Sequence, residues 1–141
     1  MVATAHASRV IPAEPAEVWE TLTSREGMKA FMMGADVETD WRVGGSIAMR
    51  GEFNGKPYED KGEVRSFEPR RRLSYSHTSS AAPAQTHVVT IELRPRSKGT
   101  EVTVSQAPAK RADAAADAKN RAQYEKTWAA ILEKLEDAVA L

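Results

Sequence analysis

The stretch ADAAADAKNRAQYEKTWAAILEKLEDAVAL, running from Ala112 to Leu141, decides the fold. It contains no glycine or proline and is rich in alanine, lysine and glutamate, the residues that lose least on entering a helix. Tyr124, Trp128, Ile131, Leu132, Leu135, Ala138 and Val139 recur at spacings of three and four, so they share one face. Glu125, Lys126, Glu133, Lys134 and Asp137 fall elsewhere. The first half, Lys110 to Ala122, almost lacks large apolar residues and is expected to fray or project. Spacing-four contacts among Asp113, Asp117 and Arg121 add only about 0.2–0.5 kcal/mol per pair. Burial of the stripe against another element must therefore hold this helix.

The preceding residues supply that element. Between Val37 and Ser105 the rhythm is alternation, broken by turn residues at Gly44-Gly45, Asn54-Gly55, Pro69, Ser79 to Pro83 and Lys98-Gly99. This predicts an antiparallel meander, with Asn54-Gly55 as its strongest hairpin signal. Val89, Ile91 and Leu93 alternate with Val88, Thr90 and Glu92, so one face is greasier and needs a cover. Upstream, Thr4 to Ile11 reads as a first strand stopped by Pro12. Pro15 suits the first turn of a short helix carrying Val18, Trp19 and Leu22. Thr23 or Ser24 can cap a second helix, with Met28, Phe31 and Met32 on one side and Gly34 at its end. The fold class is α+β: a curved antiparallel sheet of about six to seven strands around a long carboxy-terminal helix, with two short helices after the first strand. Residues 1–141 form one domain.

Composition narrows the function. Lysine plus arginine and aspartate plus glutamate each number 20, so the broad positive field that nucleic-acid binding uses is missing. The Arg70-Arg71-Arg72 run reads as a solvated strand end. With no cysteine, disulfides and thiolate chemistry are excluded, which suits a reducing, cytoplasmic setting. Met1 to Ser8 lack the features of an export signal, and no run approaches the roughly 18 apolar residues of a membrane span.

Six short pieces carry a family resemblance in the correct order: Arg9-Val10-Ile11-Pro12-Ala13-Glu14-Pro15-Ala16-Glu17-Val18-Trp19; Gly44-Gly45; Gly62-Glu63-Val64; Pro69 to Tyr75; Gly99-Thr100-Glu101-Val102-Thr103-Val104; and Trp128 with Leu132 and Leu135. Together they resemble the homologues of the heat-shock-protein-90 ATPase activator, within the START-like, or SRPBCC, superfamily. The resemblance implies a helix-grip fold with the element order strand, two helices, six strands, long helix. It also implies a cavity between sheet and helix, where members of the superfamily hold lipids, hormones or polyketide-like molecules. The chain departs from the pattern at Phe31-Met32-Met33, where related sequences often carry tryptophan. The activator proper has a separate amino-terminal chaperone-binding domain for which this length leaves no room, so a chaperone partner is not the leading expectation.

Candidate ligand-contacting residues follow from chemistry and placement. Phe31, Met32, Trp41, Met49, Tyr75, Tyr124 and Trp128 form a methionine- and aromatic-rich set able to adapt to an irregular apolar ligand, with tyrosine hydroxyls to orient it. A hairpin centred near Ala82 would set Leu73 opposite Ile91, Tyr75 opposite Val89 and His77 opposite His87. His77 and His87 would then share the cavity-side face. Neither has a carboxylate or third ligand assigned to it by sequence, so no catalytic residue, metal or cofactor is named. Glu38/Asp40 and Glu59/Asp60 read as solvated strand edges. Gly44-Gly45 precedes a strand, which removes a phosphate-loop reading.

The leading expectation is a binder of a hydrophobic small molecule. A cyclase-, dehydratase- or hydrolase-type enzyme using a pocket histidine is the second, and a co-chaperone-like interaction module the third. Nucleic acid and membrane are not expected partners, and a homodimer is left open.

Overall fold

A computed structural model of the chain describes residues 3–80 and 85–140. The elements run β1 Ala5–Ile11, α1 Pro15–Thr23, α2 Arg25–Phe31, β2 Asp36–Thr39, β3 Ser46–Phe53, β4 Lys56–Glu68, β5 Arg72–Thr78, β6 Thr86–Arg96 and β7 Gly99–Pro108. A 3-10 turn, Arg111–Asp113, leads into α3, Ala114–Val139. The strands make one curved antiparallel sheet in the order β1-β7-β6-β5-β4-β3-β2. Strands β2 to β7 are paired in chain order, and β1 completes the sheet by pairing with β7.

Local chemistry accounts for most boundaries. Pro15 opens α1, where its missing N–H costs nothing. The choice between Thr23 and Ser24 falls to Ser24, whose Oγ accepts the Gly27 N–H at 3.0 Å. The Thr23 hydroxyl instead donates to the Trp19 carbonyl at 2.8 Å. At the end of α2 both Met33 and Gly34 have positive φ, 57° and 84°, and the Gly34 N–H reaches back to the Lys29 carbonyl at 2.9 Å. Asn54 and Gly55 take φ of 52° and 78° and join Phe53 directly to Lys56, the two-residue hairpin their sequence predicts. The β5–β6 hairpin centre near Ala82 lies outside the described residues. Its flanks nevertheless show the expected register, with Leu73 opposite Ile91, Tyr75 opposite Val89 and His77 opposite His87.

The core lies between the sheet's inner face and the helices. Ile47, Met49, Val64, Leu73, Tyr75, Val89, Ile91, Leu93, Val102 and Val104 are all buried on the strands, and Trp128, Ile131, Leu132 and Leu135 on α3. Burying one such side chain contributes about 1.5–3 kcal/mol, far more than any surface pair on the helix. Helix α3 packs on β1, β7, α1 and α2. Polar ties fix its rotation: Arg9 Nε to Glu136 Oε1 at 2.9 Å, the His6 N–H to Glu125 Oε2 at 2.9 Å, and Trp128 Nε1 to Gln106 Oε1 at 2.7 Å.

The expectation that Lys110 to Ala122 frays or projects is corrected. Ala114 onward is helical, and Asp117 is 1% exposed. This half docks through a polar bond, from His87 Nε2 to Asp117 Oδ1 at 3.0 Å, which a search for apolar stripes does not detect. Asp117 thus serves the sheet rather than a spacing-four pair with Arg121.

Candidate functional site

The sheet register assembles a polar row across the inner face. Met49 of β3 stands opposite Asp60 of β4, and His77 of β5 stands opposite His87 of β6. Asp60 Oδ2 lies 2.9 Å from His77 Nε2, and Asp60 Oδ1 accepts the Ser80 N–H at 3.0 Å. On the far side His87 Nε2 meets Asp117 Oδ1, and the His87 ring meets Tyr124 edge-on with centroids 5.5 Å apart. Each histidine thus has an aspartate partner from a neighbouring element. Asp117 Oδ2 is buried and has no hydrogen-bond partner among the described residues.

The reading of Asp60 as a solvated strand edge is corrected, since its side chain is only 13% exposed and both oxygens are engaged. Glu59, one residue earlier, does face outward and pairs with Arg50 at 2.5 Å and Lys61 at 3.3 Å. Strand alternation separates these two adjacent carboxylates. Glu38 pairs with Arg50 at 2.8 Å, and Asp40 Oδ1 accepts the Arg42 N–H at 3.0 Å, so both belong to the surface.

Next to Asp60 an open groove of about 320 Å³ lies between the end of α2, the β3–β4 hairpin and the middle of α3. Met32, Met33, Thr127 and Ile131 form its mainly apolar wall, and Glu52, Tyr58, Asp60 and Ser79 its polar margin. Tyr58 fits because its cross-strand partner is Gly51: a Cβ on Gly51 would come within 2.8 Å of the Tyr58 hydroxyl. Burial, and next the negative charge of Asp60, push the Tyr58 phenol above its usual range. Tyr124 is raised by burial and then by Asp117, against a lowering hydrogen bond with Asn120. Tyr75, 1% exposed, is raised by burial alone.

Of the residues singled out by sequence, Met32 lines this groove. Phe31, Met49, Tyr75 and Trp128 are buried core side chains. Trp41 sits against α1, donating from Nε1 to the Thr23 carbonyl at 2.9 Å and stacking on Phe67 with centroids 5.6 Å apart. His77 and His87 come together as expected, and Tyr124 joins His87. Tyr58 and Asp60 were missed as groove residues. The Asn54-Gly55 signal held the clue, because counting back from a two-residue turn puts Gly51 opposite Tyr58 and Met49 opposite Asp60. Among the described residues no group of three or more histidine, aspartate or glutamate side chains is set to hold a metal ion.

Comparison with known proteins places this architecture. The family model for "Activator of Hsp90 ATPase homolog 1-like protein" matches residues 12–140. The solution structure of ChR145 from Cytophaga hutchinsonii is 35% identical, with a TM-score of 0.79 over 99% of this chain and 95% of that one. Protein CV1439 from Chromobacterium violaceum shares the fold at 22% identity, with a TM-score of 0.78 over 100% of this chain and 99% of that one. DynU16, a protein in the dynemicin biosynthetic locus, is 20% identical with a TM-score of 0.80, over 99% of this chain and 48% of that one. No curated protein matches. With a family model spanning nearly its whole length and an SRPBCC-like fold to accompany it, the chain belongs to the activator of Hsp90 ATPase homolog 1-like family.

Proposed function

We propose that the chain binds a hydrophobic small molecule, held in the groove between the end of α2, the β3–β4 hairpin and α3. The observation that carries this reading is the wall of Met32, Met33, Thr127 and Ile131 bordered by a few polar groups, in a fold that commonly binds hydrophobic ligands. Ligand pockets usually span about 300–1,000 Å³ and combine an apolar lining with few orienting polar groups. The groove is at the small end of that range, and Phe31, Met49, Tyr75 and Trp128 belong to the buried core instead of its lining. The ligand-contacting set is accordingly centred on Met32, with His77 behind Asp60. Among the described residues no helix is long and apolar enough to cross a membrane. The absence of cysteine fits action in the cytoplasm.

Thermal-shift measurement with a panel of apolar ligands tests the reading. A ligand present at a hundred times its Kd stabilises by about 2.7 kcal/mol. For a domain of this size that raises Tm by about 5–10 °C. Thr127→Trp should fill the groove and abolish the shift while the protein stays folded. A shift that survives Thr127→Trp and Met33→Glu would place the ligand elsewhere.

The enzyme reading gains one specific observation, the Asp60–His77 pair, whose carboxylate lines the groove. A carboxylate holding an imidazole in place is a familiar part of acid–base catalysis. Turnover of a candidate substrate that persists in His77→Ala would remove this role. The interaction-module reading finds less support, since among the described residues the exposed large hydrophobic side chains are only Val10, Met33 and Val43.

A further inference from the structure

Resting on that binding reading, we infer that the groove takes an apolar molecule with a cationic, amine-type head. Its apolar wall is bordered by two carboxylates, Glu52 and Asp60, while no lysine or arginine is among the described residues that line it. The chain as a whole balances 20 basic against 20 acidic residues, so this one-sided lining is a local feature. Neighbouring surface carboxylates are neutralised within the fold: Glu59 by Arg50 and Lys61, and Glu38 by Arg50. Among the described residues Glu52 pairs with no basic side chain.

Asp60 is oriented in advance by His77 Nε2 at 2.9 Å and the Ser80 N–H at 3.0 Å. A carboxylate offers about four lone-pair directions, so these two bonds leave acceptor capacity for a ligand N–H. Beside it, Tyr58 offers an aromatic ring, a surface that attracts cations. A carboxylate-bearing ligand would meet Glu52 and Asp60 with no lysine or arginine among the described lining residues to receive it. The groove therefore discriminates by repulsion as well as attraction.

The experiment titrates the full chain, with methionine methyls labelled with carbon-13, against octylammonium, octanoate and 1-octanol at neutral pH and low salt. Octylammonium should bind about tenfold or more tightly than octanoate, the scale expected for carboxylates near 4 Å in a wet groove. The neutral alcohol should fall between, and the Met32 and Met33 methyl signals should move. Glu52→Gln should shrink the amine preference several-fold, as should added salt. Equal affinity for the two ions, or a preference left unchanged by both Glu52→Gln and Asp60→Asn, would overturn the head-group assignment and leave the groove reading standing. If none of the three probes shifts the methionine methyls, both readings fall.

Discussion

Replacing His87 should cost more than replacing its partner Asp117, although both changes break the same hydrogen bond. In His87→Ala the Asp117 carboxylate, 1% exposed and already lacking a partner at Oδ2, would lose its Oδ1 partner as well. Leaving a buried carboxylate oxygen without its hydrogen-bond partner costs that group's desolvation penalty, about 3 kcal/mol. In Asp117→Ala the lost charge-assisted hydrogen bond, about 1.5–3 kcal/mol, is offset by removing the unsatisfied Oδ2, itself costing about 1–3 kcal/mol. The His87 side chain is 13% exposed and retains access to water. The two contributions cancel to within about 1 kcal/mol, so Asp117→Ala is close to neutral. At about 3 °C per kcal/mol, His87→Ala should lower Tm by about 10 °C and Asp117→Ala by no more than about 3 °C. His87→Phe controls for the ring contact with Tyr124, since it keeps an aromatic ring and removes the donor. The assay is urea unfolding followed by circular dichroism, with amide exchange locating the damage. Amides of residues 114–122 should lose protection in both variants while those of 128–135 keep theirs. An Asp117→Ala variant at least as damaging as His87→Ala would refute the stranded-carboxylate argument, and unchanged exchange at 114–122 would refute the docking role.

Three further outcomes are expected. All three tyrosines, Tyr58, Tyr75 and Tyr124, are raised above the usual phenol value of about 10, chiefly by burial, so each favours the fold below that pH and loses this contribution as pH rises through its folded value. Phenolate absorbance should develop at higher pH in the folded protein than in the unfolded chain, with Tyr75 ionising only as the circular-dichroism signal collapses; ionisation of Tyr75 at the unfolded value in a folded protein would contradict its burial. Gly51→Ala should displace the Tyr58 ring and weaken groove binding while changing stability by less than about 1 kcal/mol, read by unfolding and by the Tyr58 ring resonances. Arg25 holds Asp36 below the usual carboxylate range through paired hydrogen bonds of 2.6 and 2.7 Å, so its contribution is present above about pH 4 and fades as pH falls through the lowered value. Asp36→Asn should flatten that part of the acid limb, and an identical acid limb would show the pair to be silent.

The elements themselves were legible because their signals are local. Pro15 at the start of α1, the Ser24 cap, Asn54-Gly55 and the apolar stripe of α3 each act within a few residues of where they are read. The pairing of His77 with His87 was also accessible, since a hairpin's register follows from where it turns. Harder to read were contacts whose two halves come from distant elements. Asp60 and Glu59 look alike in sequence, yet one is half-buried against His77 and the other turns outward to Arg50.

By itself, then, the sequence determined the order of elements, the strand alternation, the long helix and the apolar face it must bury, because backbone preference and hydrophobic period are properties of short segments. Only the tertiary structure decided what became of the space under that helix. Side-chain volumes from β3, β5, α2 and α3 meet there, and their sum rather than any one residue determines whether a cavity remains. Phe31, Met49, Tyr75 and Trp128 are buried in one core cluster, and an open groove lies at Met32, Met33 and Ile131. Tertiary packing also converted Asp117 from a helix-surface residue into the buried partner of His87, thirty positions away in the chain.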